Sequence, residues 1–389
     1  MNTQAMQLKE NLQTHVKTRN IKKQYLLLGS LIVIGVLLRL PSLKLGVWRD
    51  EGSTYFNALP TNLHEVINTV IYSELNPPGF YLIMHKWIQW FGADDVIFKL
   101  PVFIFGILLI PATYTLGSLI SSPKIGLIAA AVTTFEPNAI YYSQEARPYT
   151  LAALLCCLIL ILYCKAINSD KQIWYLIGLV ICADIMLYVQ YTSLILLASL
   201  AIVTVYLWWS GVANIRPIRF VIAGVIIFLL FTPWLKIFLI HLSTGLPWLT
   251  KKVWFTRPKL LYDIFLYTLP VTKLQKYLVG IIVIFSFAYQ ARQLFSRSQQ
   301  LTALKNTTIK TYTLILYLSV LLTVMLLAAL SYSGRYVFPF APLAWVVYTH
   351  SVVNLFQSIN NYRTAQLYRF SKQVAVVLLV TFIIFPNIK

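Results

Sequence analysis

Apolar runs of about 18 residues or more recur from end to end of this 389-residue chain, and that is the length an α-helix needs to cross the hydrocarbon core of a bilayer. Lipid offers no partner for a backbone N–H or C=O, so each run must satisfy its own hydrogen bonds as a helix. The fold class expected is therefore an all-α polytopic membrane protein. Composition agrees: 58% of residues are hydrophobic and 11% charged, against about a quarter charged in soluble domains. No connection between runs is long enough for a separate soluble domain, so residues 1–389 read as one transmembrane domain.

The first run, at about 25–40, follows a polar segment (1–24) carrying Lys9, Lys17, Arg19, Lys22 and Lys23. Basic residues ahead of a first span put the N-terminus in the cytoplasm, and no small-residue cleavage site follows, so the span reads as uncleaved. Pro41 ends it, and residues 41–97 form a first extracytoplasmic loop. Within that loop Leu63, Val66, Ile67, Val70 and Ile71 share one helical face, with Asn62 and Glu65 at capping-box spacing, which predicts an amphipathic helix at the membrane surface. The apolar stretch 76–91, interrupted by His85, Lys86 and Gln89, is short for a span and is read as a second interfacial helix, with His85 and Lys86 against lipid headgroups. Ten further spans follow at about 98–120, 125–141, 149–164, 173–188, 193–209, 220–238, 277–289, 312–331, 336–355 and 374–385. With 76–91 at the surface, about eleven spans leave the short basic loops inside, as the positive-inside bias requires. Residues 239–276 become a second large outer loop, whose Trp248, Lys251, Lys252 and Trp254 read as an interface belt, and His241 as an interfacial histidine.

A net charge of +20 would suit nucleic acid in a soluble protein, but here it sits in short loops and points to anionic lipid. Cys156, Cys157, Cys164 and Cys182 all lie in apolar runs and read as buried thiols; neither a CxxC pair nor a Cys/His zinc pattern occurs.

In a chain with only 12 Asp and Glu, the adjacent pair Asp50-Glu51 is the main candidate for chemistry. Carboxylates beside a low-dielectric wall can serve as a general base or a metal ligand, or can simply pair with Arg49. Glu145 and Arg147 suit a carboxylate that orients a sugar beside a guanidinium that grips phosphate, or a salt-bridged helix end. Arg335, followed by Tyr336, stands between two apolar spans and wants an anion, for which a lipid phosphate is the natural choice. Glu136 and Asp184 are exceptions to the gathering of polar residues at one face, and Asp184, inside a span, reads as structural or as part of a relay. Carboxylates and arginines at one membrane face suit a reaction on a phosphate-linked lipid.

Several segments together carry a family resemblance: Trp48-Arg49-Asp50-Glu51, Asn76-Pro77-Pro78-Gly79-Phe80-Tyr81, Lys99-Leu100-Pro101 and, most specifically, Tyr142-Ser143-Gln144-Glu145-Ala146-Arg147-Pro148-Tyr149. Weaker pieces are 187–191, 231–235 and Arg335-Tyr336. In this order and spacing they resemble bacterial membrane glycosyltransferases of the GT-C fold, in the branch of the dolichyl-phosphate-mannose protein mannosyltransferases and the lipid A aminoarabinose transferase.

The resemblance implies a polyprenyl-phosphate sugar donor, a hydroxyl acceptor (glycolipid, polysaccharide or protein) and an inverting transfer at the extracytoplasmic face of the cell membrane. It implies Asp50 as base, with Glu51 and Glu145 orienting sugar or acceptor. Arg147, Arg335, Tyr336 and Lys86 are expected at the lipid phosphate, and Asn76, Tyr142, Gln144 and Tyr149 in support of acceptor or loop. Some relatives carry Lys or His at Asn76 and Asp at Arg147, and metal use varies across the fold class; no cofactor is assigned. A flippase of lipid-linked sugars is the competing reading, but it predicts polar residues through mid-span positions and on both faces.

Overall fold

The computed structural model describes residues 2–167, 169–213, 215–244, 308–329 and 334–361. These residues form helices joined by short connections. Helix α1 (Asn2–Arg39) leads into a 3-10 turn at Pro41–Lys44, then α2 (Arg49–Ala58), α3 (Leu63–Ser73) and α4 (Gly79–Phe91). Next come α5 (Asp95–Ile120), α6 (Pro123–Phe135), α7 (Pro137–Tyr142), α8 (Tyr149–Ile167), α9 (Gln172–Val189), α10 (Ser193–Ser210) and α11 (Pro217–Thr244). After the next described break lie α12 (Thr308–Ala329), 3-10 turns at Gly334–Tyr336 and Phe338–Phe340, and α13 (Ala341–Asn361).

Among the described residues six helices are long and apolar enough to cross a membrane: Ile21–Lys44, Asp95–Ile120, Tyr149–Ile167, Gln172–Val189, Ser193–Ser210 and Pro217–Thr244. Pro123–Phe135 and Thr311–Leu327 are shorter apolar helices. This is a multi-pass membrane protein. The expected spans at 277–289 and 374–385, and the interface belt at 248–254, lie outside the described residues.

Helix α8 is the axis of the bundle, with 83% of its apolar window buried against 22% for α1 and for α11. Its cysteines, Cys156, Cys157 and Cys164, are buried free thiols. Hydroxyl groups stitch the helices together where lipid would leave them unsatisfied. Tyr163 bonds Thr204 at 2.8 Å, Thr323 bonds Ser199 at 3.1 Å and Thr313 bonds the Ile120 carbonyl at 3.1 Å.

The amphipathic helix expected at 63–71 is present as α3. Its cap Asn62 accepts the Glu65 N–H at 2.9 Å, while the Glu65 carboxylate reaches back one residue further than a capping box requires, to Thr61. Val66 and Val70 bury their apolar face against Tyr81 of α4. Helix α4 is also present, with its inner face formed by Phe80, Tyr81, Met84 and His85.

Three expectations are corrected. His85 does not touch headgroups; it is buried and bonds the Ala58 carbonyl at 2.9 Å, pinning α2 to α4. His241 is likewise internal: it bonds the Tyr191 hydroxyl at 2.9 Å and the Ile71 carbonyl at 3.2 Å, and Trp234 donates to Tyr191 at 2.7 Å. Because the indole can only donate, Tyr191 donates to His241 Nδ1 and the Nε2–H goes to Ile71, so this relay ties α11 to α3. Finally, the expected span 125–141 is broken at Glu136, whose carboxylate accepts the Ala139 N–H at 2.6 Å and the Asn138 amide at 2.8 Å, starting α7 at Pro137.

The break matters because α7 leads into the Tyr142–Tyr149 connection. Arg39 of α1, fully buried, secures it. Its guanidinium donates to the last carbonyls of α6, Thr133 at 2.9 Å and Thr134 at 3.1 Å, and to Ser143 Oγ at 3.1 Å. Gln144 returns a bond to the Arg39 carbonyl at 2.9 Å. Gly106 of α5 lets Ser143 approach, since a Cβ there would meet the Ser143 side chain. Arg39→Ala strands two buried carbonyls and is expected to cost about 3 kcal/mol, seen as a lowered thermal-unfolding midpoint in detergent.

Candidate active site

The acidic pair stands on the first turn of α2, where the helix dipole favours negative charge. The two carboxylates have different surroundings. Glu51 is fully buried. Its Oε2 accepts the Trp48 N–H at 3.2 Å and pairs with Lys99 Nζ at 3.2 Å, and its Oε1 accepts the Ala146 N–H at 2.8 Å. Lys99, on the first turns of α5, also donates to the Leu45 carbonyl at 2.9 Å. One carboxylate thus joins α2, α5 and the Tyr142–Tyr149 connection.

Arg147 makes a second junction. It donates to the Asp50 carbonyl at 3.2 Å, to Thr54 Oγ1 at 3.2 Å and to Glu74 at 3.1 Å. Glu74, the C-cap of α3, also accepts Ser53 Oγ at 2.5 Å and the Asn76 amide at 3.2 Å. The side chains of this pair are 6% and 9% exposed. The third ion pair, Arg335 with Asp50, is different: its side chains are 35% and 24% exposed. Arg335 also lies over the Tyr336 ring, 5.8 Å from its centroid.

Glu145 completes the group. It is 4% exposed, and its Oε1 is buried with no hydrogen-bond partner among the described residues. Burial pushes its carboxyl up to about 7; Arg147 and Arg335 pull the other way, and Glu51 and Asp50 add to the rise. Burial would also raise Glu74, but the Arg147 guanidinium and the hydrogen bonds it receives outweigh that and hold it below the usual carboxylate value. Burial opposes the charge on Arg335, and Tyr149 and the Asp50 bond more than offset it, so the guanidinium is held more firmly protonated.

The structure thus brings Asp50, Glu51, Glu145, Arg147 and Arg335 to one end of the bundle. Tyr336 joins through Arg335, and Tyr149 packs edge-on against Tyr142, which in turn packs on Phe338. Asn76 reaches the group through Glu74, and Gln144 braces it through Arg39. Lys86 is not brought to it. Helical geometry turns Lys86 away from the inner face of α4, and it bonds Gln89 at 2.9 Å instead. No group of three His, Cys, Asp or Glu able to hold a metal ion occurs among the described residues.

Sequence reasoning did not assign Glu74 and Lys99. The signal for Glu74 was its rarity as a carboxylate just ahead of Asn76-Pro77-Pro78; for Lys99, a lysine inside an apolar run, which demands a buried partner. Tyr81 was also missed: its hydroxyl is buried beside Glu74 and Asn76 without a hydrogen bond of full geometry.

An all-α membrane bundle with interfacial helices between its first two spans, holding carboxylates and arginines at one end, has the GT-C fold of membrane glycosyltransferases. Residues 76–237 match the family model of dolichyl-phosphate-mannose-protein mannosyltransferase. Among solved structures, the archaeal oligosaccharyltransferase AglB from Archaeoglobus fulgidus, in complex with an inhibitory peptide and a dolichol-phosphate, superposes with a TM-score of 0.61 at 12% identity, over 93% of this chain and 55% of that one. ArnT from Cupriavidus metallidurans in the apo state gives 0.58 at 11% identity, over 93% of this chain and 70% of that one. ArnT bound to undecaprenyl phosphate gives 0.53 at 11% identity, covering 92% and 70%. The chain spans about half the length of the oligosaccharyltransferase. A comparison with curated protein sequences finds no match. The fold class and the resemblance read from the sequence agree with these findings.

Removing one partner of the buried Glu51–Lys99 pair is expected to be far worse than removing both. Lys99→Met should destabilise by about 3–5 kcal/mol, whereas Glu51→Gln with Lys99→Met should recover much of that loss, as read by detergent unfolding curves. Equal losses would show that the pair is not the junction described.

Proposed function

We propose that this protein is a glycosyltransferase that moves a sugar from a polyprenyl-phosphate donor to an acceptor hydroxyl at the extracytoplasmic face of the cell membrane, with inversion and with Asp50 as general base. The observation that carries the reading is the contrast among the ion pairs. Glu51–Lys99 and Glu74–Arg147 are buried, while both side chains of Asp50–Arg335 are partly exposed. An entering phosphate competes with Asp50 for the Arg335 guanidinium, which forks naturally onto phosphate oxygens. Binding the donor thereby frees the Asp50 carboxylate.

The acceptor hydroxyl then attacks the anomeric carbon from the side opposite the phosphate. The new C–O bond forms as the bond to the phosphate oxygen breaks; Asp50 takes the hydroxyl proton, and Arg335 meets the charge growing on the leaving phosphate. Glu51 and Arg147 act as positioning residues, one fixing the start of α2 and the other fixing α2 to α3 through Glu74. The family match, and the undecaprenyl phosphate bound by a protein of the same fold, support the donor class. A flippase needs polar groups at mid-span on both faces; among the described residues the charged cluster gathers at one end.

Asp50→Asn should lower transfer from polyprenyl-phosphate hexoses by about 10²- to 10⁴-fold while binding of the lipid phosphate persists. Arg335→Ala should weaken lipid-phosphate binding as well as rate. Full activity of Asp50→Asn would remove Asp50 as base. Lipid movement across vesicles with no transfer by the wild type would favour the flippase.

A further inference from the structure

Among the described residues of the cluster there are four carboxylates, Asp50, Glu51, Glu74 and Glu145, and three cations, Lys99, Arg147 and Arg335, and each cation is paired with one of the first three carboxylates. Glu145 is left over. It is also the one of the four with a buried oxygen lacking any hydrogen-bond partner. An ionised carboxylate in that position is doubly unfavourable, through lost hydration and through repulsion from its neighbours. A carboxyl group there has an unused O–H donor.

The charged and titratable groups around Glu145 are known from each side. Asp50 and Glu51 act on it from α2, Arg147 and Tyr149 from its own connection and the start of α8, and Arg335 from the 3-10 turn, with Tyr336 beside Arg335 and Tyr149. The two cations among them, Arg147 and Arg335, offset part of the effect of burial but are already paired with Glu74 and Asp50. When an anion enters beside Arg335, the local negative charge rises further, while Arg335 is drawn toward the newcomer.

Resting on the reading of the site as a lipid-phosphate site, we infer that Glu145 takes up a proton when the phosphate-bearing ligand binds and offers it to that ligand as a hydrogen-bond donor. Ligand binding is then coupled to one proton from solution. Glu145 is in this view a binding group in its carboxylic acid form, distinct from Asp50, which must be ionised to act as base. The two acids differ in environment: Glu145 is buried with an unpartnered oxygen, while Asp50 is partly exposed and paired with Arg335. With the free carboxyl titrating at about 7, the coupling falls within the ordinary working range of pH.

The test uses the full chain in detergent and farnesyl methyl phosphate, a prenyl phosphodiester whose single charge is fixed near neutrality, with farnesol as the uncharged control. Calorimetric titration at pH 8 in buffers of different ionisation enthalpy counts the protons exchanged. The expected result is uptake approaching one proton by the wild type, none by Glu145→Gln and none with farnesol. Affinity of the wild type should fall about tenfold between pH 6.5 and 8.5, while that of Glu145→Gln, whose amide still donates, stays flat. Infrared difference spectra of the wild type should gain a protonated-carboxyl carbonyl band on binding, a readout that does not depend on the variant folding. Binding with no uptake and no pH dependence overturns the inference and leaves the lipid-phosphate site standing. Absence of any phosphodiester binding overturns both.

Discussion

The Glu51 carboxylate is the interaction on which the rest of the site depends. A charge buried in a membrane bundle is costly unless it is paired and fully hydrogen-bonded, and Glu51 meets both conditions with Lys99 and two backbone N–H groups. Its partners come from α2, α5 and the connection ahead of α8, segments far apart in sequence. Satisfying one carboxylate therefore fixes three backbones relative to one another. Because α8 is the buried axis of the bundle, the chain leading into it is held where the interfacial helices can reach it.

Around that junction the ion pairs form a gradient. Glu51–Lys99 is sealed, Glu74–Arg147 is nearly so, and Asp50–Arg335 is open. A sealed pair sets position, since neither partner can leave without exposing the other to a low dielectric. An open pair is weak and can be exchanged for a better partner. Lysine serves the first junction and arginine the second, where Arg147 Nη1 donates toward three oxygens, the Asp50 carbonyl, Thr54 Oγ1 and Glu74 Oε1.

Surface helices α3 and α4 also depend on the spans. The His241–Tyr191 relay holds the Ile71 carbonyl three residues ahead of Glu74, so α11 helps set the carboxylate that receives Arg147. Close approach does the same elsewhere: a Cβ at Gly79 would strike the Tyr188 carbonyl, which sets the start of α4 directly on the end of α9.

The sequence by itself determined the class and most of the long apolar helices among the described residues, and it singled out several of the charged residues that the structure gathers at one end. Hydrophobic length and period carry that information locally, because lipid forces every apolar run into a helix that satisfies its own backbone. The scarcity of carboxylates pointed to Asp50, Glu51 and Glu145 for the same reason: a charge in an apolar chain needs a purpose. Only the tertiary structure decided which charges pair. Lys99 and Ala146 meet Glu51 across several intervening helices, Glu74 finds Arg147, and Glu145 is left without an ion-pair partner. Lys86, equally basic in the sequence, is turned away by the phase of its helix. Pairing depends on three-dimensional distance and burial, to which the order of residues along the chain gives no direct access.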